Sequence, residues 1–334
     1  MSSTSAVPSM TWRMGSVARA VAMIFIAAAW LVGCVVEPES AEWPWSHGSA
    51  MPTARSEIAV TEFGGRIYVA GGIGRLGATS AFESYEPGTD KWTPLALLPV
   101  ALHHPGLASA AGRIYLTGGY DDLSFNADRK EAWVYDPAND RWQRIADMPS
   151  PRAAHRMAAI RDKLYVVGGV GPEPQALWAY DPVADRWETA HAPLPTPREH
   201  IAIAVLDDKL YVIGVRWSGK GNFAVVERYV PQTDRWDRLP DMPTPRGGHT
   251  ASAVAGKIHV TGGEVFSPGR TFAEHEVFDP STGKWMTLAP LPTARHGLDS
   301  AALENRWYVI GGGTGAGART LITLTDVVEI FVAE

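Results

Sequence analysis

Ile114-Tyr115-Leu116-Thr117-Gly118-Gly119, then Tyr135-Asp136-Pro137-Ala138-Asn139-Asp140-Arg141-Trp142, then Met148-Pro149-Ser150-Pro151-Arg152: this ordered stretch recurs along the chain and decides the fold. An apolar-aromatic-apolar run favours a strand, and glycine at its end permits a sharp exit. The tyrosine and the tryptophan lie seven residues apart around a turn in which Pro presets φ and Asp and Asn tolerate tight geometry. The unit is therefore strand, Gly-Gly, strand, turn, strand, and a closing Met-Pro. Trp45, Trp92, Trp142, Trp187, Trp236 and Trp285 recur at steps of 47, 50, 45, 49 and 49 residues. A period of 45–50 residues built from short strands predicts a radial array of four-stranded sheets, a β-propeller.

The other copies keep the order. The aromatic precedes the tryptophan at Tyr85, Tyr180, Tyr229 and Phe278. The first glycine is Gly71, Gly118, Gly168, Gly214, Gly262 or Gly311, and a second follows everywhere except at Val215. A Leu-Pro or Met-Pro closes each unit, with Arg55, Arg152, Arg198, Arg246 or Arg295 three residues after the proline and Leu102 in the remaining copy.

These markers resemble the kelch repeat, over residues 42–334. The resemblance implies an all-β, six-bladed propeller with four antiparallel strands per blade. The innermost strand follows Pro-x-x-Arg, the second ends in Gly-Gly, the third carries the tyrosine and the outermost carries the tryptophan. The last unit ends after Val328-Glu329-Ile330-Phe331 without its tryptophan strand, whereas Trp45 precedes the first unit. The N-terminal strand is thus expected to complete the last blade, pairing edges that would otherwise be exposed.

Residues 1–33 read differently. Arg13 and Arg19 precede an apolar run from Ala20 to Trp30, followed by Leu31-Val32-Gly33-Cys34. A cationic start and an apolar stretch form a secretory signal. Its end resembles a bacterial lipobox, which implies a lipidated Cys34, a tether over residues 34–41, and a propeller held at the cell envelope, at the outer membrane or in the periplasm if the cell is Gram-negative. Removing residues 1–33 takes the formal charge from −6 to −8, because that segment carries two arginines and no acid. An acidic domain without a basic stripe disfavours nucleic acid as a partner. No feature of the sequence sets an oligomeric state.

A position filled alike in every blade serves the shared fold; a position that departs in one blade is a candidate for function. On this ground the recurrent arginines are expected to hydrogen-bond between blades, and the tryptophans to pack the outer strands. Blade two offers His103 and His104, and the loop Tyr120, Asp121 and Arg129; blade four offers Glu199, His200, Arg216, Trp217 and Asn222; blade five offers Glu264, Phe266 and Arg270. Arginine and tryptophan together combine fixed charge with a flat apolar face, suited to sugars or peptides. His103, His104, His155, His200, His249 and His296 all enter the inner strand. Their offsets from the preceding proline run from four to six and no companion carboxylate cluster is evident, so no metal or cofactor is expected.

Two functions stay open. One is a binding module displayed at the envelope, recognising a protein or a carbohydrate through its loop face. The other follows from resemblance to bacterial kelch propellers that are sialic-acid mutarotases: Glu199 or His200 as acid/base, with Arg216 or Arg198 as the cation for the sugar carboxylate. A copper-radical oxidase of the galactose-oxidase kind needs a cysteine cross-linked to tyrosine inside the propeller, and the only cysteine is Cys34.

Overall fold

The computed structural model describes residues 44–126, 129–217 and 220–333, without the side chains of Val215 and Trp217. Cys34, the signal segment and the tether lie outside the described residues. Six antiparallel sheets are arranged in a ring, each of four strands, and that of blade five carries the short Arg270–Thr271 strand as a fifth. Blade one comprises Ala59–Phe63, Arg66–Ala70, Phe82–Glu86 and Lys91–Pro94. Blades two to five repeat that order, and blade four lengthens its second and third strands to Lys209–Trp217 and Gly221–Val230. Blade six contains Asp299–Leu303, Arg306–Ile310 and Val328–Val332, and Trp45–Gly48 is its fourth strand, with Trp45 opposite Phe331.

The seven-residue spacing is a cross-strand pair. Tyr85 faces Trp92, Tyr135 faces Trp142, Tyr180 faces Trp187 and Tyr229 faces Trp236, with ring centroids 5.1–5.2 Å apart. Such pairs add about 0.5–1.5 kcal/mol beyond area burial. Each tryptophan also reaches the neighbouring blade. Trp142 Nε1 donates to the Ala96 carbonyl at 3.1 Å, while Asp140 accepts the Ala96 amide at 2.8 Å and the Tyr135 hydroxyl at 2.7 Å. The same grip holds Ser49, Ala146 and Ala192. In blade five the gripped residue is Pro240, which has no amide to offer. There Gly283 stands in place of the aspartate and Phe278 in place of the tyrosine.

The hydrophobic core is a circle of seams between blades. One seam joins Leu98, Leu107 and Leu116 to Tyr68 and Phe82 of blade one. The closing seam joins Val60, Val69 and Tyr85 to Tyr308, Ile310 and Val328. A ring has no free sheet edge at its joint only when its ends meet, so the Trp45 strand is part of the core.

The recurrent arginines do not bridge blades through their side chains, as the repeat suggested. Arg55, Arg198, Arg246 and Arg295 are fully buried and pair within their own blade with Glu83, Glu227, Glu276 and Glu329. Arg152 has no acid there; its guanidinium lies 3.7 Å over Trp178. Contact between blades comes from the backbone: the Arg152 carbonyl accepts from Gly119, that of Arg198 from Gly169 and that of Arg295 from Gly263.

Candidate functional site at the propeller axis

The fifth residue after each closing proline is Glu57, His104, Ala154, His200, Gly248 or Gly297. All six have a left-handed backbone, with φ between 51° and 65°. Non-glycine residues rarely adopt it, and here it is enforced by a closed circuit. The amide of each donates to the carbonyl of its predecessor around the axis, from His104 to Glu57 at 2.9 Å through to Glu57 on Gly297 at 2.6 Å. The ring of six hydrogen bonds forms the floor of a pocket. Beyond it the channel is crossed by an ion pair between opposite blades, Arg156 Nη1 to Asp299 Oδ2 at 2.9 Å.

Three ring positions carry side chains able to do chemistry. Glu57 Oε2 lies 3.0 Å from His104 Nε2, which lies 2.9 Å from His200 Nε2. Gly297 makes room for this: a Cβ there would stand 2.7 Å from the Glu57 carboxylate. Burial pushes the Glu57 carboxyl up, but His104, His200 and His296 outweigh it and hold it well below the usual carboxylate range. The buried His200 is pushed down, by desolvation first and then by Arg216, against the pull of Glu199. His200 Nδ1 hydrogen-bonds to Glu199.

The histidine offsets sort by place. Offset five puts His104 and His200 on the ring. Offset four puts His103, Glu199 and His296 above it, each bridged by backbone to the second residue after the first glycine: Tyr120, Arg216 and Gly313. Offset six puts His155 and His249 between blades, against Thr117 Oγ1 at 2.9 Å and the Ile213 carbonyl at 3.0 Å. The carboxylate partner that the sequence pattern did not reveal is Glu57.

The pocket has a volume of about 280 Å3, and its wall comes from the irregular loops. Arg216 Nη1 is 2.6 Å from Glu264 Oε1, its Nε is 3.6 Å from Glu199, and its guanidinium lies 4.2 Å over the Phe266 ring. Asn222 Nδ2 donates to the Glu264 carbonyl at 2.7 Å. Glu264 is buried and also accepts the Gly317 amide at 2.7 Å, which fastens the blade-six 3-10 helix Gly317–Ile322 over the pocket. That helix is a wall the repeat pattern does not foretell, because it occurs once.

The other candidates are distributed as follows. His103 is fully buried beside the pocket, its Nε2 2.7 Å from the Asp122 carbonyl, and burial pushes it down to about 4. Tyr120 packs its ring 5.2 Å from that of His103 and is raised to about 12 by burial. Asp121 and Arg129 pair with each other at the loop and do not line the pocket. Arg198 is buried against Glu227 and is closed to a ligand. Trp217 pairs through its backbone with Gly221; its side chain lies outside the described residues.

Comparison with known proteins agrees with this architecture. Residues 114–315 match the Attractin/LZTR1 beta-propeller family, and residues 34–169 match the KLHDC2/KLHL20/DRC7 Kelch-repeats domain. Mouse Kelch-like protein 40 is 38% identical over 90 residues, 27% of this chain and 14% of that protein. Beta-scruin of Limulus polyphemus is 38% identical over 76 residues, 22% of this chain and 8% of that protein. The chain therefore spans a small part of the curated relatives it matches. A solved structure titled "Structure of YjhT" superposes with a TM-score of 0.72 at 17% identity, covering 86% of this chain and 100% of that one. The six-bladed ring, the repeated Arg, Gly-Gly, Tyr and Trp registers and these matches agree, and the chain belongs to the kelch-repeat β-propellers of the Attractin/LZTR1 family.

Proposed function

We propose that this propeller is an interaction module that recognises a protein ligand through its loop face and is held at the cell envelope by a lipid on Cys34. Kelch-repeat propellers generally bind protein partners. The observation that carries the reading is where the exposed apolar side chains lie. Of eleven exposed large hydrophobic residues among those described, seven sit on this face: Leu76, Leu123, Phe125, Val170, Phe266, Leu321 and Ile322. Singly exposed apolar residues are ordinary; a concentration on one face marks an interaction surface. The face encircles an acidic centre of Glu57, Glu199 and Glu264 against one arginine. A ligand with a basic or neutral polar tip between apolar groups fits best.

A second reading, acid/base opening of a sugar ring, keeps the hydrogen-bonded Glu199 and His200 as its support. Arg216 is already committed to Glu264 and Glu199, so a neutral sugar fits this site better than a sialic acid.

The test is a displayed-peptide selection and a glycan array run in parallel on the full chain. Peptides with basic and apolar residues should be enriched, and the Phe125→Ser/Phe266→Ser variant, with an unchanged melting midpoint, should lose them. A ligand at 100 times its Kd should add roughly 2.7 kcal/mol of stability. Enrichment indifferent to both phenylalanines sinks the loop-face reading, and glycan hits alone favour the sugar reading. Cys34→Ser should move the protein from the membrane fraction to the soluble one; retention on the membrane removes the lipid anchor.

A further inference from the structure

The hydrogen-bond chains behind the ring fix which imidazole nitrogens carry protons. The Asp122 carbonyl can only accept, so His103 Nε2, 2.7 Å away, carries the proton. A neutral His103 then offers its Nδ1 lone pair to His104 Nδ1–H at 2.6 Å, and this leaves His104 Nε2 as a lone pair. On the other side, His200 Nδ1–H donates to the Glu199 carboxylate, and this leaves His200 Nε2 as a lone pair. Both bare nitrogens point at each other across 2.9 Å, and the Glu57 carboxylate stands 3.0 Å from the first. With His103, His104 and His200 neutral, three electron-pair donors converge with no donor hydrogen between them. Such an arrangement repels unless a cation sits at its centre.

We propose that Glu57 Oε2, His104 Nε2 and His200 Nε2 hold a divalent first-row transition ion at the floor of the axial pocket. Metal–ligand bonds of 2.0–2.1 Å at right angles separate neighbouring ligand atoms by about 2.9 Å, close to the 3.0 and 2.9 Å that separate His104 Nε2 from Glu57 and His200, and all three donor atoms lie within 4.8 Å of one another. Two imidazoles and one carboxylate form a donor set for zinc, iron or nickel rather than calcium or magnesium. The outer partners are those such ligands need. A carboxylate orients His200, and a histidine anchored on a carbonyl orients His104. Glu57, His104 and His200 all line the pocket, so the remaining coordination positions open into it beside Arg216 and Phe266. The proposal does not depend on the identity of the pocket's ligand, since the ion binds in its absence.

The experiment strips the full-length protein with a chelator and returns Zn2+ in competition with a fluorescent chelator, using Co2+ as an optical probe. One equivalent of Zn2+ per chain should bind with micromolar Kd or tighter. Glu57→Gln, His104→Asn and His200→Asn should each weaken it at least 100-fold, and Glu199→Gln by about 10–100-fold. Asparagine tolerates the left-handed backbone of the ring, and equal melting midpoints of the metal-free variants check that the ring persists. His47→Ala, exposed on the outermost strand of blade six, should leave the affinity unchanged. Absence of stoichiometric zinc, or full affinity in the three ligand variants, overturns the proposal and leaves a shared proton as the bridging cation. If the variants fail to fold, zinc-edge X-ray absorption of the wild type decides: two imidazoles and an oxygen ligand support the site, and any other set overturns it.

Discussion

At the residue scale the six blades act as internal controls for one another. Threonine, arginine and glutamate form a buried unit in four blades, as where Thr53 Oγ1 donates to Glu83 at 2.9 Å and Arg55 Nη1 pairs with the same carboxylate at 2.9 Å. Blade two replaces all three members together, with Val100, Leu102 and Trp133. Breaking a buried pair strands a charge, at a cost of about 3–5 kcal/mol, whereas exchanging the whole pair for apolar groups is often neutral. Arg55→Leu alone should therefore destabilise the protein by about that amount in urea denaturation. Arg55→Leu with Glu83→Trp should recover most of the loss. If the double variant is as unstable as the sum of its singles, the two sites are not coupled and the comparison of blades misleads.

At the scale of elements, the decisive strand is Trp45–Gly48. Trp45 lies against Phe331, His275 and Trp307 with centroids 5.2, 5.5 and 6.0 Å away, and its Nε1 donates to the Ala289 carbonyl of blade five at 2.9 Å. It thus serves blade six as the other tryptophans serve theirs. Trp45→Ala should cost about 3–5 kcal/mol, read as a lower urea midpoint with the cooperativity of a single transition lost. A loss under about 1 kcal/mol would mean that the ring does not depend on this strand. The glycine pairs are equally local in cause. Gly71, at φ 60°, would bring a Cβ within 2.4 Å of the Leu102 carbonyl of blade two, so only glycine lets adjacent blades meet there.

For the molecule as a whole, the seams bury histidines that are neutral when folded. His259 Nδ1 and His275 Nε2 share a hydrogen bond of 2.9 Å, and His275 Nδ1 donates to the Ala289 carbonyl at 3.2 Å. Burial lowers His259 to about 4 and His275 to about 3, with Lys257 acting on the first, and His259 and Arg246 on the second. His155 and His249 are likewise held well below the ordinary imidazole range, again by burial first. An unfolded histidine takes its proton near pH 6.5, so below that value the unfolded chain binds more protons than the folded one. Stability should be flat above about pH 7 and fall by roughly 1.4 kcal/mol per pH unit for each such histidine as the pH drops toward 4. The His259→Phe/His275→Phe variant should show a shallower fall of melting temperature between pH 6.5 and 4.5. Parallel curves would show that this seam is not where the protons enter.

Much of the architecture was legible in the sequence because each blade solves the same packing problem with the same residues. The period, the strand order and the closure by Trp45 follow from spacing and from hairpin pairing, which are local. The axial site was legible only in part. His104, His200, Glu199, Arg216 and Asn222 stood out as departures from the repeat, and the ring position was present in the sequence as the fifth residue after each proline. Reading that position across blades gives Glu57, His104 and His200. Their convergence on one point was not legible, because it depends on the ring's diameter and on the left-handed turn that aims each side chain at the axis. The pairing of Arg216 with Glu264, and the folding of Gly317–Ile322 over the pocket, are likewise set by neighbouring blades far apart in sequence. Sequence alone determined how a blade is built, since strands and turns are governed by near neighbours. Only the tertiary structure decided what the blades jointly enclose, since a site on a symmetry axis is made of one residue from each of several repeats.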